Sequence, residues 1–341
     1  MEKVSILTGG GDCPGLNPVI RAVVKTCLLH DWQVLGFRNG WKGLIEDEFV
    51  ILDDHLVSGI LPKGGTILGT SRTNPYRKQG DIERLKSNFN KHELRALIVV
   101  GGEDTLGVAD RLAKEGLPMV GIPKTIDNDL SATDYTFGFD TAVNIAMECI
   151  DRLHTTAESH NRVMVVEIMG RHAGWIALEA GLAGGADMIL IPEVLVDIND
   201  VCETIKRRHA RGKTFSIVAV AEGARLSGGK EVSETKLDEF GHVRLGGIGQ
   251  LIGEMIEKNT GYETRVTVLG HIQRGGSPTA FDRVLGTRFG VRAVDLVRNK
   301  KFGRMVSLRG REIVDVPLGD AVKELKLVGR DLYDLAKIFF G

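Results

Sequence analysis

Short apolar runs recur along this chain, each ended by a glycine-rich polar turn and followed by apolar residues at helical spacing. Val4–Thr8 runs into Gly9–Gly10–Gly11–Asp12. After Pro14, the residues Leu16, Val19, Ile20, Val23, Val24 and Cys27 share one face of a helix. Ala96–Val100 leads into Gly101–Gly102–Glu103–Asp104–Thr105 and a helix through Leu112. Met119–Ile122 leads into Pro123–Lys124–Thr125–Ile126–Asp127–Asn128–Asp129. Val163–Ile168 leads into Met169–Gly170–Arg171, with a helix from near Ala173. Ile189–Ile191, Ser216–Ala221 and Arg265–Leu269 are further buried-strand candidates. Continuous apolar strands alternating with helices predict an α/β fold, its parallel strands covered on both faces. Ligands of such sheets sit beyond the carboxyl ends of the strands, where these acids and arginines cluster.

Composition narrows the class. The 341 residues, 43% hydrophobic and 26% charged, suit a globular protein of one large α/β unit or two lobes. A formal net charge of −1 supplies no global field for nucleic acid or an anionic membrane, so anion binding falls to local clusters. Four cysteines show no CxxC spacing, as expected in a reducing cytoplasm. The opening MEKVSILTGGGDCPG carries no signal-peptide pattern, and no apolar run approaches the ~20 residues of a membrane span. A cytoplasmic protein is expected. The 43 glycines gather at the ends of apolar runs, which implies many tight strand-to-helix turns. Ser227–Arg244 reads as a surface insertion or hairpin, and a lobe boundary is expected near Phe137–Asp140.

Each cluster supports a definite chemistry. Gly9–Asp12 brings backbone N–H groups to a helix N-terminus, an arrangement suited to phosphate, yet it matches neither a Walker loop nor GxGxxG. Glu103, Asp104, Asp127 and Asp129 form two carboxylate-rich turns; one or two such groups plus phosphate oxygens suit Mg2+, and one could serve as a general base. In an extended segment, Thr125, Asp127 and Asp129 face the same way. Taken singly, each acid also fits a turn or a helix cap. Arg72, then Arg162 and Arg171, then Arg265, His271 and Arg274 form separate basic groups, which look like pockets for small anions. Residue chemistry alone leads to a small-molecule phosphotransferase and names no acceptor. A dinucleotide-binding oxidoreductase stays a rival on the glycine turns alone, opposed by the missing GxGxxG.

At TGGGDCPGLNPVIRAV, GGTILGTSR, GGEDT, PKTIDND, GFDTA, VEIMGRHAGWIAL and GHIQRGGSP the chain resembles the 6-phosphofructokinase family, and it looks most like the pyrophosphate-dependent members of actinomycete type. The resemblance runs from the first strand to at least Arg283. It implies two Rossmann-like lobes with mostly parallel sheets and the active site in the cleft between them. Residues 1–138 with about 256–305 would form the donor lobe, and about 139–255 with 306–341 the sugar-phosphate lobe. It further implies fructose 6-phosphate and pyrophosphate as substrates, Mg2+ as cofactor, and a homotetramer or homodimer.

By the same resemblance, Asp127 is the base for the sugar 1-hydroxyl, Glu103 and Asp129 are the metal acids, and Gly10 and Arg72 contact the donor phosphates. Thr125, Met169, Gly170, Arg171 and Glu222 line the sugar site, with Arg171 also near the transferred phosphoryl group. Arg162 and Arg265 reach a neighbouring subunit's 6-phosphate, and His271 and Arg274 are its same-chain partners. Asp104 and Lys124 stand where ATP-using members typically carry glycine, which resembles the pyrophosphate-dependent pattern. A carboxylate in the space of an ATP α-phosphate would oppose it by ~4 kcal/mol at ~4 Å and an effective dielectric of ~20. Some ATP-using relatives also carry PKTIDND, so Asp104 bears most of this assignment. The long Glu222–Arg265 interval argues against effector control of the compact bacterial type. An ATP-dependent enzyme and a non-catalytic fructose-phosphate-binding homologue are the alternatives.

Overall fold

The computed structural model describes residues 1–228, 233–237 and 243–341. The chain opens with β1 (Lys3–Thr8), α1 (Leu16–Leu28), β2 (Gln33–Phe37), α2 (Trp41–Glu46) and β3 (Phe49–Leu52). It continues with α3 (Asp81–Lys91), β4 (Leu94–Gly101), α4 (Glu103–Lys114), β5 (Met119–Pro123) and the long α5 (Phe139–His160). Next come β6 (Val163–Ile168), α6 (Trp175–Ala183), β7 (Met188–Leu190), α7 (Ile198–Ala210) and β8 (Ser216–Ala221). After them follow β9 (Ser233–Leu237), β10 (Val243–Leu245), α8 (Ile248–Thr260), β11 (Thr264–Val268) and a 3₁₀ turn, Gly270–Arg274. The chain closes with α9 (Ala280–Arg298), β12 (Arg304–Arg309), β13 (Glu312–Pro317), α10 (Leu318–Ala321) and α11 (Arg330–Lys337).

Two compact units divide these elements. The first holds Met1–Ile126, Leu130–Thr141 and Arg274–Leu325; the second holds Asp127–Asp129, Ala142–Gln273 and Lys326–Gly341. In the first, seven strands lie in the order β13-β12-β5-β4-β1-β2-β3, parallel except for the antiparallel β2–β3 and β12–β13 pairs. Every residue of β4 except Arg95 is buried, as its unbroken apolar run requires. Leu7, Phe37, Trp41, Leu97, Val99 and Leu106 belong to one core cluster of this unit. Helices α1 and α9 pack closely because Gly290 has no side chain: a Cβ there would lie 2.7 Å from the Ala22 Cβ.

The second unit is smaller. Four parallel strands run β11-β6-β8-β7, with Val163, Val165, Val218, Val220, Ile205 and Ile252 in its core. Buried Glu167 on β6 accepts hydrogen bonds from the Gly247 and Gly249 amides at 3.2 and 2.8 Å and thereby caps the N-terminus of α8. Strands β9 and β10 pair antiparallel as in a hairpin; the residues joining them, within the expected Ser227–Arg244 insertion, lie outside the described residues.

The divisions differ from the expected ones at both returns of the chain. Residues from about 256 to Gln273 stay with the second unit, because α8 packs on β6 and β11 pairs with it. Residues 306–325 belong to the first unit, because β12 adds to β5 and β13 to β12. The first crossing into α5 falls between Thr141 and Ala142, close to the expected Phe137–Asp140. Ahead of it, Asp282 of α9 accepts hydrogen bonds from the Thr141 amide and hydroxyl at 2.8 and 2.6 Å.

Candidate functional site

On the first unit, the turns after β1, β4 and β5 are joined edge to edge. The Gly9 amide donates to Val100 and the Lys124 amide to Gly101, both at 2.9 Å. The strand order reverses between β1 and β4, the place where open α/β sheets bind ligands. Gly10 has a φ of 80°, a left-handed conformation that glycine adopts without strain. Its amide donates to Ser71 O at 3.0 Å, and the Thr70 hydroxyl donates to its carbonyl at 2.6 Å, which sets exposed Arg72 beside the turn.

Two cations close on this turn. Lys124 is only 3% exposed and donates from Nζ to the Gly11 carbonyl. Arg274 donates to the Asp12 carbonyl at 3.0 Å and lies where any Cβ on Gly11 would be, 2.6 Å from its Nη1. A buried lysine and a half-buried arginine at one turn favour an anion more than they would in water. Glu103 and Asp104 occupy the first turn of α4, where the helix dipole favours carboxylates, and Gly102 offers no side-chain cap. The buried Cys13 thiol is pushed up to about 12 by burial, which removes it as a nucleophile. Thr125 accepts the Thr136 hydroxyl at 2.8 Å through its carbonyl, so its turn is anchored within the same unit.

The second unit carries another strand-end cluster. Asp127 is 5% exposed, and Asn128 beside it has a φ of 52°, a left-handed turn that asparagine tolerates. Beyond β6, Gly170 has a φ of 153° and Arg171 a φ of 52°, an unusual conformation for arginine. Glu222, at the end of β8, holds that turn: its Oε1 accepts the Arg171 amide at 3.0 Å and the Gly170 amide at 3.3 Å. Burial pushes the Glu222 carboxyl up to about 7, opposed by the Arg171 amide and reinforced by the negative charge of Asp127. Met169 follows β6 directly and lies at the same edge, as does exposed His271, which follows β11, the strand paired with β6.

Two of the expected arginines stand at the other end of their strands. Arg162 precedes β6 and Arg265 stands near the start of β11, at the opposite end of the strands from Arg171. A six-residue strand separates the two ends by ~20 Å. Both arginines grip Glu263: Arg162 at 2.8 Å, Arg265 in a short ion pair. Together they hold its carboxyl below the usual range. The chain passes between units after Ile126 and returns after Asp129, so Lys124 and Thr125 belong to the first cluster and Asp127 and Asp129 to the second. Glu103 and Asp129, and likewise Arg274 and His271, are divided in the same way. Among the described residues, no group of three or more His, Cys, Asp or Glu could hold a metal. Sequence reasoning did not find Lys326, Trp175, Glu193 and Gly223. A Cβ on Gly223 would lie 1.9 Å from the Arg171 carbonyl, and an isolated glycine after a strand announces no such contact.

Glycine turns flanked by cations, at the carboxyl ends of parallel strands, define a phosphate-handling α/β protein. The chain belongs to the phosphofructokinase family, whose description matches residues 3–297. It is 59% identical, over 99% of its length and 100% of the relative's, to the pyrophosphate–fructose 6-phosphate 1-phosphotransferase of Streptomyces coelicolor. It is also 53% identical, over the same shares of both chains, to the ATP-dependent 6-phosphofructokinase of Mycobacterium tuberculosis H37Rv. The phosphofructokinase structure from Saccharomyces cerevisiae superposes with a TM-score of 0.84 at 30% identity, over 99% of this chain and 46% of the yeast chain.

Proposed function

We propose that this chain transfers a phosphoryl group from pyrophosphate to the 1-hydroxyl of fructose 6-phosphate, reversibly, giving fructose 1,6-bisphosphate and phosphate. Full-length identity of 59% to a relative of that name supports the reaction. The donor is less constrained, because a relative at 53% is named for ATP. The observation that carries the donor assignment is the pair of charges at the strand ends: Asp104 in the first turn of α4, and Lys124 buried against the β1 turn.

In this reading Asp127 takes the proton as the sugar oxygen attacks the terminal phosphorus, and the bridging P–O bond breaks to release phosphate. Gly10, Arg72 and Lys124 hold donor phosphates, while Lys124 and Arg171 balance the charge that builds on the departing and transferred groups. Met169, Gly170, Glu222 and Thr125 position the sugar. His271 and Arg274 take its phosphate, helped by Arg162 and Arg265 of a neighbouring copy in a homotetramer or homodimer. Asp104 excludes the α-phosphate of a nucleotide by bulk and like charge. Glu103 and Asp129 would hold Mg2+, which takes few carboxylates and completes its shell with phosphate oxygens. Bound there, the ion would neutralise phosphate charge. The setting is cytoplasmic, and control by ADP or phosphoenolpyruvate is absent.

A donor screen with Mg2+ tests this reading. Pyrophosphate should support turnover, ATP and polyphosphate at most a hundredth of it, and fructose 1,6-bisphosphate with phosphate should release pyrophosphate. ADP and phosphoenolpyruvate should leave the rate curve unchanged. Asp104→Gly should weaken pyrophosphate use and raise activity with ATP. A wild-type preference for ATP, or an Asp104→Gly enzyme unchanged with both donors, refutes the donor assignment.

A further inference from the structure

Lys326 sits in the segment that follows α10, far along the chain from every residue assigned a role above. Three bonds from this one residue reach two places in the second unit. Its backbone amide donates to the Asp129 carbonyl at 2.8 Å. Its Nζ donates to Asn128 Oδ1 at 2.9 Å. Its own carbonyl accepts the Trp175 indole N–H at 2.7 Å, and Nζ stands 5.5 Å from the centre of the Trp175 ring.

Trp175 is the first residue of α6, four positions after Arg171. Two residues beyond Lys326, the Val328 amide donates to Glu193 Oε1 at 3.0 Å, and the same oxygen accepts the Gly174 amide at 3.0 Å. Residues 326–328 therefore form a strap from the Asp127–Asp129 turn to the start of α6. Asn128 is 2% exposed and left-handed, so the ammonium is a partner supplied from inside the protein rather than by water.

We propose that Lys326 is a positioning residue for the phosphoryl transfer. It fixes the left-handed Asn128 turn, and with it the direction of the Asp127 carboxyl, relative to the segment that carries Arg171. This rests on the functional reading above. Proton transfer from a sugar hydroxyl needs the base within hydrogen-bond reach, and a displacement of ~1 Å can lower the rate by ~100-fold.

Lys326→Met removes the ammonium while keeping length and apolar bulk. Its kcat should fall roughly 10- to 100-fold, with KM for both substrates within about twofold of wild type. Lys326→Arg, which can still donate to Asn128, should recover most of the loss. Hydrogen exchange needs no activity: amides at 128–130 and 174–176 should exchange faster in Lys326→Met. Trp175→Phe, which leaves the lysine in place, should loosen the same two segments should the first variant fold poorly. Wild-type protein that turns over no donor defeats the functional reading, while the exchange comparison still judges the strap. Active wild type with an unchanged kcat or unchanged exchange in Lys326→Met overturns the proposal. So does a kcat loss matched by the loss of folded protein in near-ultraviolet dichroism.

Discussion

Glu222 combines two demands that pull its proton in opposite directions. Burial favours the neutral acid, whereas the Gly170 and Arg171 amides favour the carboxylate, and the balance lies at about 7. An acid whose carboxyl is raised in the folded chain binds more protons there than in the unfolded chain. It therefore withdraws stability as pH rises from about 4.5 through 7. With allowance for its partial exposure, the change amounts to roughly 1–2 kcal/mol. Glu222→Gln, which cannot ionise, should gain that much on wild type in urea unfolding at pH 8 compared with pH 5. Equal differences at the two pH values would show that Glu222 ionises as freely as a surface acid. At pH 7 the enzyme holds a mixture of the two forms, so binding of a sugar that meets this carboxyl is expected to respond to pH near neutrality.

Among the elements, two glycines of similar appearance should behave oppositely. Gly223 follows β8, and a Cβ there would press to 1.9 Å from the backbone oxygen of Arg171, which no side-chain motion relieves. Gly223→Ala should raise the KM for fructose 6-phosphate by at least about tenfold and lower the melting temperature. Gly107, inside α4, has open space around its Cβ position, so Gly107→Ala should stabilise by about 0.5–1 kcal/mol in the same melts. A destabilised Gly107→Ala together with a silent Gly223→Ala would contradict this account of both glycines.

Much at this scale was legible beforehand. Parallel strands buried on both faces write themselves as continuous apolar runs, and β1, β4, β5, β6 and β8 appear within a residue or two of where those runs stand. Their polar turns mark the strand ends where Lys124, Arg171 and Glu222 lie. The hairpin of β12 and β13 was missed although its two short apolar stretches flank Gly310, because an edge hairpin carries a weaker apolar signal than a central strand. That omission displaced the unit boundary. Lys326 had no signal at all: one lysine in a polar segment looks the same whether it faces water or an asparagine 198 positions away.

At the scale of the whole molecule, Arg162 and Arg265 carry the question of assembly. They stand at the amino ends of β6 and β11, about a strand's length from Arg171 on their own chain. If they serve a neighbour's sugar-phosphate site, two crippled chains can repair each other. Arg162→Ala and Asp127→Ser, each nearly inactive alone, should regain a measurable fraction of wild-type activity after mixing under conditions that exchange subunits. A mixture as inactive as its parents would place both residues in one chain's site.

The division of the chain has a consequence for its birth. The body of the second unit, from Ala142 to Gln273, is one unbroken stretch, while the first unit draws on both ends of that stretch. Its sheet contains β1, made before that stretch, and β13, made after it. On the ribosome, therefore, β1 cannot join a finished sheet until the body of the second unit has been made. Through that interval β1 and β4 must rely on each other and on helices already emerged, so of the seven strands β1 waits longest for the sheet to close.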